Sequence, residues 1–221
     1  FEISKNFKNN LNLVSNGYHK NYDTNVFEKV LINDLKYTSF PKINSNGIVN
    51  KFNLLLKNVT TEGENSTEYS NDFRSQNYGS ILYDISFPMK KEGLKFDKFL
   101  SGKASLMYSP NKNKNLKSLD RKIDFKNVFS QNRLGLNDSL EGGQSLTLGG
   151  EFKILDKQNN NILTAGLASV LRDKNEKKLP KTSTINNKSS DIIGSFAYKP
   201  NSNFSVDYNF SVDNDLSATN Y

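Results

Sequence analysis

The segment Phe204-Ser-Val-Asp-Tyr-Asn-Phe-Ser-Val-Asp213 sets the reading of the whole chain. Phe204, Val206, Tyr208, Phe210 and Val212 alternate with Ser205, Asp207, Asn209, Ser211 and Asp213. Successive side chains of a strand point to opposite faces, so this segment predicts a strand with one apolar and one wet face. The same period of two runs through Gln144–Ile154, where Leu146, Leu148, Phe152 and Ile154 alternate with Ser145, Thr147, Glu151 and Lys153. It recurs in Ile81–Met89 and predicts further strands at Leu11–Val14, Phe27–Ser39, Ile48–Val59, Lys98–Ser109, Asn161–Leu171 and Ser190–Lys199. That makes about nine strands, with no amphipathic helix among them.

The connections carry a second pattern. Short turns are expected at Phe40–Asn46, Lys90–Phe96, Asp156–Asn160 and Pro200–Asn203. Between them fall longer polar loops at Gly17–Val26, Thr60–Asn77, Asn111–Gly142 and Arg172–Ser189. Short turns on one side and long loops on the other are the habit of an up-and-down outer-membrane barrel. The expected strand length of about 10–12 residues suits a tilted strand crossing a bilayer, against about 5–6 in ordinary globular sheets. Tyr198 and Phe204 flank one turn, and Phe27 and Tyr37 lie near strand ends, as an interfacial aromatic girdle requires. The competing reading is a large soluble antiparallel sheet whose aromatics simply pack its core.

Composition narrows the function classes. The 221 residues are 35% hydrophobic and 24% charged, and no apolar run approaches the ~18 residues of a spanning helix. Fifteen Phe and 10 Tyr argue against a disordered chain. With no Cys and one His, the chain offers no disulfide, no thiolate zinc site and no H-E-x-x-H motif. Nothing points to a cofactor or an enzyme. The net charge of +7 would suit an anionic surface, and an Asn- and Lys-rich composition gives the same charge without function. Binding nucleic acid would need aromatics on the same face as Lys and Arg, and here Phe204, Tyr208 and Phe210 lie opposite the polar residues.

One loop carries the most specific text, Asn127-Val-Phe-Ser-Gln-Asn-Arg-Leu-Gly-Leu-Asn-Asp-Ser-Leu-Glu-Gly-Gly143, followed at once by a strand. Asn127, Phe129, Ser130, Asn132, Arg133, Asp138, Glu141, Gly142 and Gly143 resemble the phrase found in the C-terminal barrel of the lipopolysaccharide-assembly family LptD, also called OstA. Leu100–Pro110 is similar to a strand of that barrel ending in Pro, and Ser190–Asp213 to its hairpin turning on Tyr-x-Pro-Asn-x-x-Phe. The resemblance covers most of Phe27–Asp215 and is strongest from Tyr78 onward. It implies an outer-membrane barrel that delivers lipopolysaccharide to the outer leaflet. It also implies an LptE-like plug lipoprotein in the lumen and an LptA-like periplasmic bridge. The family often carries disulfide-forming cysteines, which this stretch lacks.

Under this reading the fold class is all-β, an antiparallel up-and-down transmembrane β-barrel present in part, embedded in outer-membrane lipid with loops at the cell surface. Residues 1–221 are expected to be one fragment of the barrel, its periplasmic domain and remaining strands lying elsewhere in a longer protein. The chain starts at Phe1 without a signal peptide, and Ser217–Tyr221 reads as the start of another loop. Ser145, Thr147, Glu151, Lys153, Ser205, Asp207, Asn209 and Ser211 are the candidate lining of a hydrated lumen through which the sugars and phosphates of the lipid pass.

Asn132, Arg133, Asp138 and Glu141 are either a substrate clamp or a set of ties that pins the loop. Gly142-Gly143 and Gly149-Gly150 are expected to open a strand and to form a bulge. Lys112, Lys114, Lys117, Arg121, Lys122, Arg172, Lys174, Lys177, Lys178 and Lys181 would form a cationic outer rim, or merely solvated loops. Asp84 and Asp207, on different strands, do not make a glycosidase pair. His19 is expected in a loop. A passive or gated pore, and a soluble basic β-protein binding glycan or nucleic acid, are the alternatives to lipopolysaccharide assembly.

Overall fold

The computed structural model describes residues 2–7 and 10–213. They form one antiparallel sheet of eleven strands: β1 Glu2–Phe7, β2 Leu11–Asn21, β3 Phe27–Thr38, β4 Lys42–Ile43, β5 Val49–Glu64, β6 Arg74–Lys91, β7 Phe96–Ser109, β8 Gly143–Asp156, β9 Asn161–Arg172, β10 Ile192–Asn201 and β11 Phe204–Val212. Each long strand pairs with the next in sequence, and the sheet is not closed. The all-β up-and-down architecture expected from the alternation is therefore present. A short 3₁₀ turn, Lys181–Ser183, is the helical element among the described residues. The expected loop at Ser217–Tyr221 lies outside them.

Two strands more than expected are present, one before the first expected strand and one inside a turn. β1 pairs with β2, and β4 folds back on β5 inside the turn expected at Phe40–Asn46. Two of the expected long loops are half strand. β2 runs to Asn21 and keeps its ladder with β3 through Asn21↔Phe27, which places His19 in a strand with its ring edge-on to Phe27 at 4.9 Å. β5 and β6 extend to 16 and 18 residues, so the connection between them shrinks to residues 65–73. The strict alternation of short and long therefore fails between β2 and β6, because polar residues there continue the ladder instead of leaving it. It holds from β6 onward, where residues 110–142 and 173–191 sit at the end opposite residues 92–95, 157–160 and 202–203.

Register sorts side chains into two faces, and the faces differ sharply. One row runs Phe52↔Tyr83↔Leu106↔Leu146↔Leu171, and its neighbours are the large apolar residues Tyr37, Ile81, Met89, Leu100, Leu148, Leu167, Val206 and Tyr208. These neighbours are exposed, Tyr208 by 55%, and so is Leu106 in the row itself, by 52%. A bare apolar face across so many strands far exceeds what a soluble monomer shows. The adjacent row on the other face, Asn53↔Leu82↔Met107↔Ser145↔Arg172, is buried throughout, although it mixes polar with apolar groups. Residues 110–142 and 173–191 fold over that second face. Near the same end the bare face changes character. Ser15, Asn33, Asn58 and Asn77 form a hydrogen-bonded ladder across β2, β3, β5 and β6, with Ser15 Oγ donating to Asn33 at 2.6 Å and Asn58 Nδ2 to Asn77 at 2.8 Å.

Candidate functional site

The site begins with turns that shape residues 110–142. Asp124 accepts the backbone N–H groups of Lys126 and Asn127 at 2.8 and 2.9 Å, closing a turn of the kind this side chain favours. Asn132 holds both backbone polar groups of Leu136 at 2.8 Å, and Gly135, at φ 62°, completes that bend. The two turns carry the chain back on itself and bring Arg133 and Glu141 face to face.

Arg133 meets Glu141 as a fork, Nε to Oε2 at 2.8 Å and Nη2 to Oε1 at 2.5 Å. Its remaining N–H groups reach Thr147 Oγ1 at 3.0 Å and Ser145 Oγ at 2.9 Å on β8. Arg172, the last residue of β9, adds a second guanidinium to Glu141 and donates to the Gly142 carbonyl at 2.5 Å. All three charged side chains are essentially removed from solvent. Burial alone would push the Glu141 carboxyl up; the two guanidiniums outweigh it and hold the carboxyl below its ordinary range. Gly143 sits at φ 99°, and a Cβ there would lie 2.7 Å from the Arg172 guanidinium. A glycine at the start of β8 is thus required twice over, by backbone and by contact.

An apolar cluster adjoins this charge cluster, with Val170 paired across the strands to Thr147. Leu116, Ile123, Phe125, Val128, Leu134 and Leu136 from the first segment, with Leu179 and Ile185 from residues 173–191, pack on Ala168, Val170 and Ile193 of β9 and β10. Phe125 lies directly over Gly166, and Phe129 over Gly149. Gly149-Gly150 therefore forms no bulge; the register is unbroken there, and the shift occurs at Ile154/Leu155 instead. Further ties run to β5 and β6. Gln131 Nε2 donates to the Ser80 carbonyl at 3.1 Å, and Lys57, ion-paired to Asp34, donates to the Asn137 carbonyl at 2.8 Å. Residues 110–142 are thus a packed cover fixed to one face of the sheet.

The residues singled out from sequence fall into several separate places. Ser145 and Thr147 belong to the buried cluster with Arg133 and Glu141. Asn132 makes the local turn, and Asp138 lies apart, paired with Lys114 at 2.5 Å. Glu151 lies away from the cluster, bound to Lys103 at 2.9 Å and Lys153 at 3.1 Å. On β11, Ser205, Asp207 and Asn209 are exposed on the same face, whereas Ser211 is buried against Asp191. Arg172 leaves the expected cationic rim altogether. Its backbone ends a strand that passes under the cover, so its side chain is captured by Glu141. Lys112, Lys117, Arg121, Lys122, Lys174, Lys177, Lys178 and Lys181 do remain exposed.

Sequence reasoning missed Arg172, Gln131, Lys57 and Phe125. The one available signal was the set of apolar residues Val128, Leu134, Leu136 and Leu140 inside a loop taken as polar. Residues 57–221 match the family model described as LptD: LPS transport system D. No curated protein matches the chain.

Proposed function

The chain belongs to the LptD family of LPS transport system D, and on that premise we propose that it forms part of an outer-membrane barrel that inserts lipopolysaccharide into the outer leaflet. The observation that carries this reading is the division of the sheet into a bare apolar face and a polar face capped at one end. The bare face suits hydrocarbon, and the Ser15–Asn33–Asn58–Asn77 ladder suits the level where hydrocarbon gives way to headgroups. The opposite face suits a lumen. Glu151, Lys153, Ser205, Asp207 and Asn209 give its uncapped part a charged and amide lining able to solvate sugar and phosphate.

β1 and β11 each keep one unpaired edge among the described residues, which hydrocarbon does not tolerate, so in the membrane further strands complete the barrel. Residues 110–142 and 173–191 lie at the cell surface in this arrangement, and the short turns at 92–95, 157–160 and 202–203 face the periplasm. An LptE-like plug and an LptA-like bridge are the partners of the assembled machine. The docked cover speaks against a passive open pore, because it occupies the face a pore would leave free.

Controlled depletion of the full-length parent protein tests the reading. Newly made lipopolysaccharide should stop appearing at the cell surface and accumulate inside, while a co-resident porin keeps its channel activity. Continued surface delivery at wild-type rate after depletion would exclude it.

A further inference from the structure

The cover is fastened unevenly. Its named ties run to β5, β6, β8, β9 and β10: Lys57 to Asn137, Gln131 to Ser80, Arg133 to Ser145 and Thr147, and the apolar cluster on Ala168, Val170 and Ile193. Against β2 and β3 the packing opens instead into a cavity of about 980 Å³ between the sheet, residues 67–69 and the cover. That volume is at the top of the ~300–1,000 Å³ usual for a pocket that holds an organic ligand. A second cavity of about 340 Å³ adjoins it, lined in part by Arg74 and Lys112. The two share the walls Glu68, Tyr69, Lys114 and Asp138, so Tyr69 and the Lys114–Asp138 ion pair stand between them.

We infer that the sugar portion of the transported glycolipid passes the docked cover through these two cavities, along the covered face of β2 and β3. The inference rests on the function proposed above and adds the place and the chemistry of the passage. The chemistry lies in the walls. Asn16, Asn115 and Asn137 offer amides that both donate and accept, and Thr67 and Ser118 offer hydroxyls, the groups that exchange readily with sugar hydroxyls. Tyr18 and Tyr69 supply ring faces for the apolar side of a pyranose, with their hydroxyls 3.5 Å apart. Charge is mixed rather than cationic, since Lys114 and Arg121 are accompanied by Glu2, Glu68 and Asp138. A neutral, hydroxyl-rich chain fits such walls better than an isolated phosphate. Lys114 is moreover already engaged by Asp138, with the Tyr69 ring 5.5 Å away.

Photo-crosslinking in the full-length parent protein, in cells, tests the route, with adducts read by an antibody against the cell's own lipopolysaccharide sugar. The probe is placed at Asn16, Thr67 and Ser118 in the cavity walls, at Asp207 and Asn209 on β11, and at Leu106 on the bare face. Transport-dependent adducts at the cavity positions together with β11 are expected. Adducts at Asp207 and Asn209 with none at the cavity positions would place the route elsewhere, overturning the inference and leaving the proposed function intact. Adducts at Leu106 alone, or nowhere, would overturn both. A cavity-filling pair, Asn16→Trp and Thr67→Trp from opposite walls, gives an independent measurement. At least one should fold normally, judged by heat-modifiable migration, and it should reduce surface delivery of lipopolysaccharide. A folded variant of either kind with undiminished delivery would sink the route.

Discussion

Glu141 lies between two guanidiniums with 2% of its side chain exposed, so removing its charge leaves Arg133 and Arg172 facing each other without a counter-ion. Breaking a buried pair from one side costs about 3–5 kcal/mol, most of it the penalty on the charge left behind. Glu141→Gln should therefore undock residues 110–142 rather than unfold the sheet, read as new protease cleavage confined to that segment. Arg133→Lys should have a similar but smaller effect, since a point charge cannot make the fork with Glu141. The pH response follows from the depressed Glu141 carboxyl. A carboxyl lowered from its usual 4.5 contributes docking stability above that value and loses it as pH falls through the depressed one. This stretch has no Cys, so with any cysteine outside it replaced, a single fluorophore on Lys126→Cys can report docking. Its signal should stay flat from neutral pH to 4.5 and change only in stronger acid; a transition near neutrality would contradict the role given to Glu141.

At the scale of elements, the cover and the sheet meet through residues chosen for size. Phe125 occupies the space that any side chain on Gly166 would need. Gly166→Ala should cost about 1–3 kcal/mol through overpacking, and Phe125→Ala about 3–5 kcal/mol through the lost ring. The double variant should cost less than the sum, because without the ring the alanine methyl has room. Thermal unfolding of the four proteins in detergent gives the cycle, and strict additivity would show that ring and glycine do not share this contact. The paired strands beneath depend less on any one residue, since each ladder is continuous from β2 to β11 except for the shifts at Ile154/Leu155 and Tyr198/Asn201.

For the whole molecule, the contrast between faces predicts opposite responses from adjacent residues. Val206 and Asp207 are neighbours on β11 whose side chains point to opposite faces. On the proposed lipid face, Val206→Lys should cost up to about 2–4 kcal/mol, depending on its depth in the bilayer. Asp207→Lys, on the wet face, should cost little. The yield of membrane-inserted, heat-modifiable full-length protein compares the two, and equal tolerance would remove the lipid assignment of the bare face. Leu106→Lys, in the middle of the apolar row from Phe52 to Leu171, should be tolerated least.

The alternation of Phe204–Asp213 and Gln144–Ile154 was enough to assign the all-β class, the two faces and most of the turns, because a strand's period of two is a local property of the backbone. Where β2, β5 and β6 run on through polar residues, the same rule understated the strands, since ladder hydrogen bonds do not require apolar side chains. Asn132, Arg133 and Glu141 could be singled out within one loop, but their partners could not. Arg172 lies 31 residues from Glu141, and Gln131 lies 51 from Ser80, and no periodicity links positions so far apart. The docking of residues 110–142, the burial of Ser145 and Thr147 beneath them and the cavity left beside β2 and β3 were decided only by tertiary structure. The physical reason is that such contacts depend on which surfaces the sheet brings together, and an irregular segment carries no repeat from which that meeting can be read.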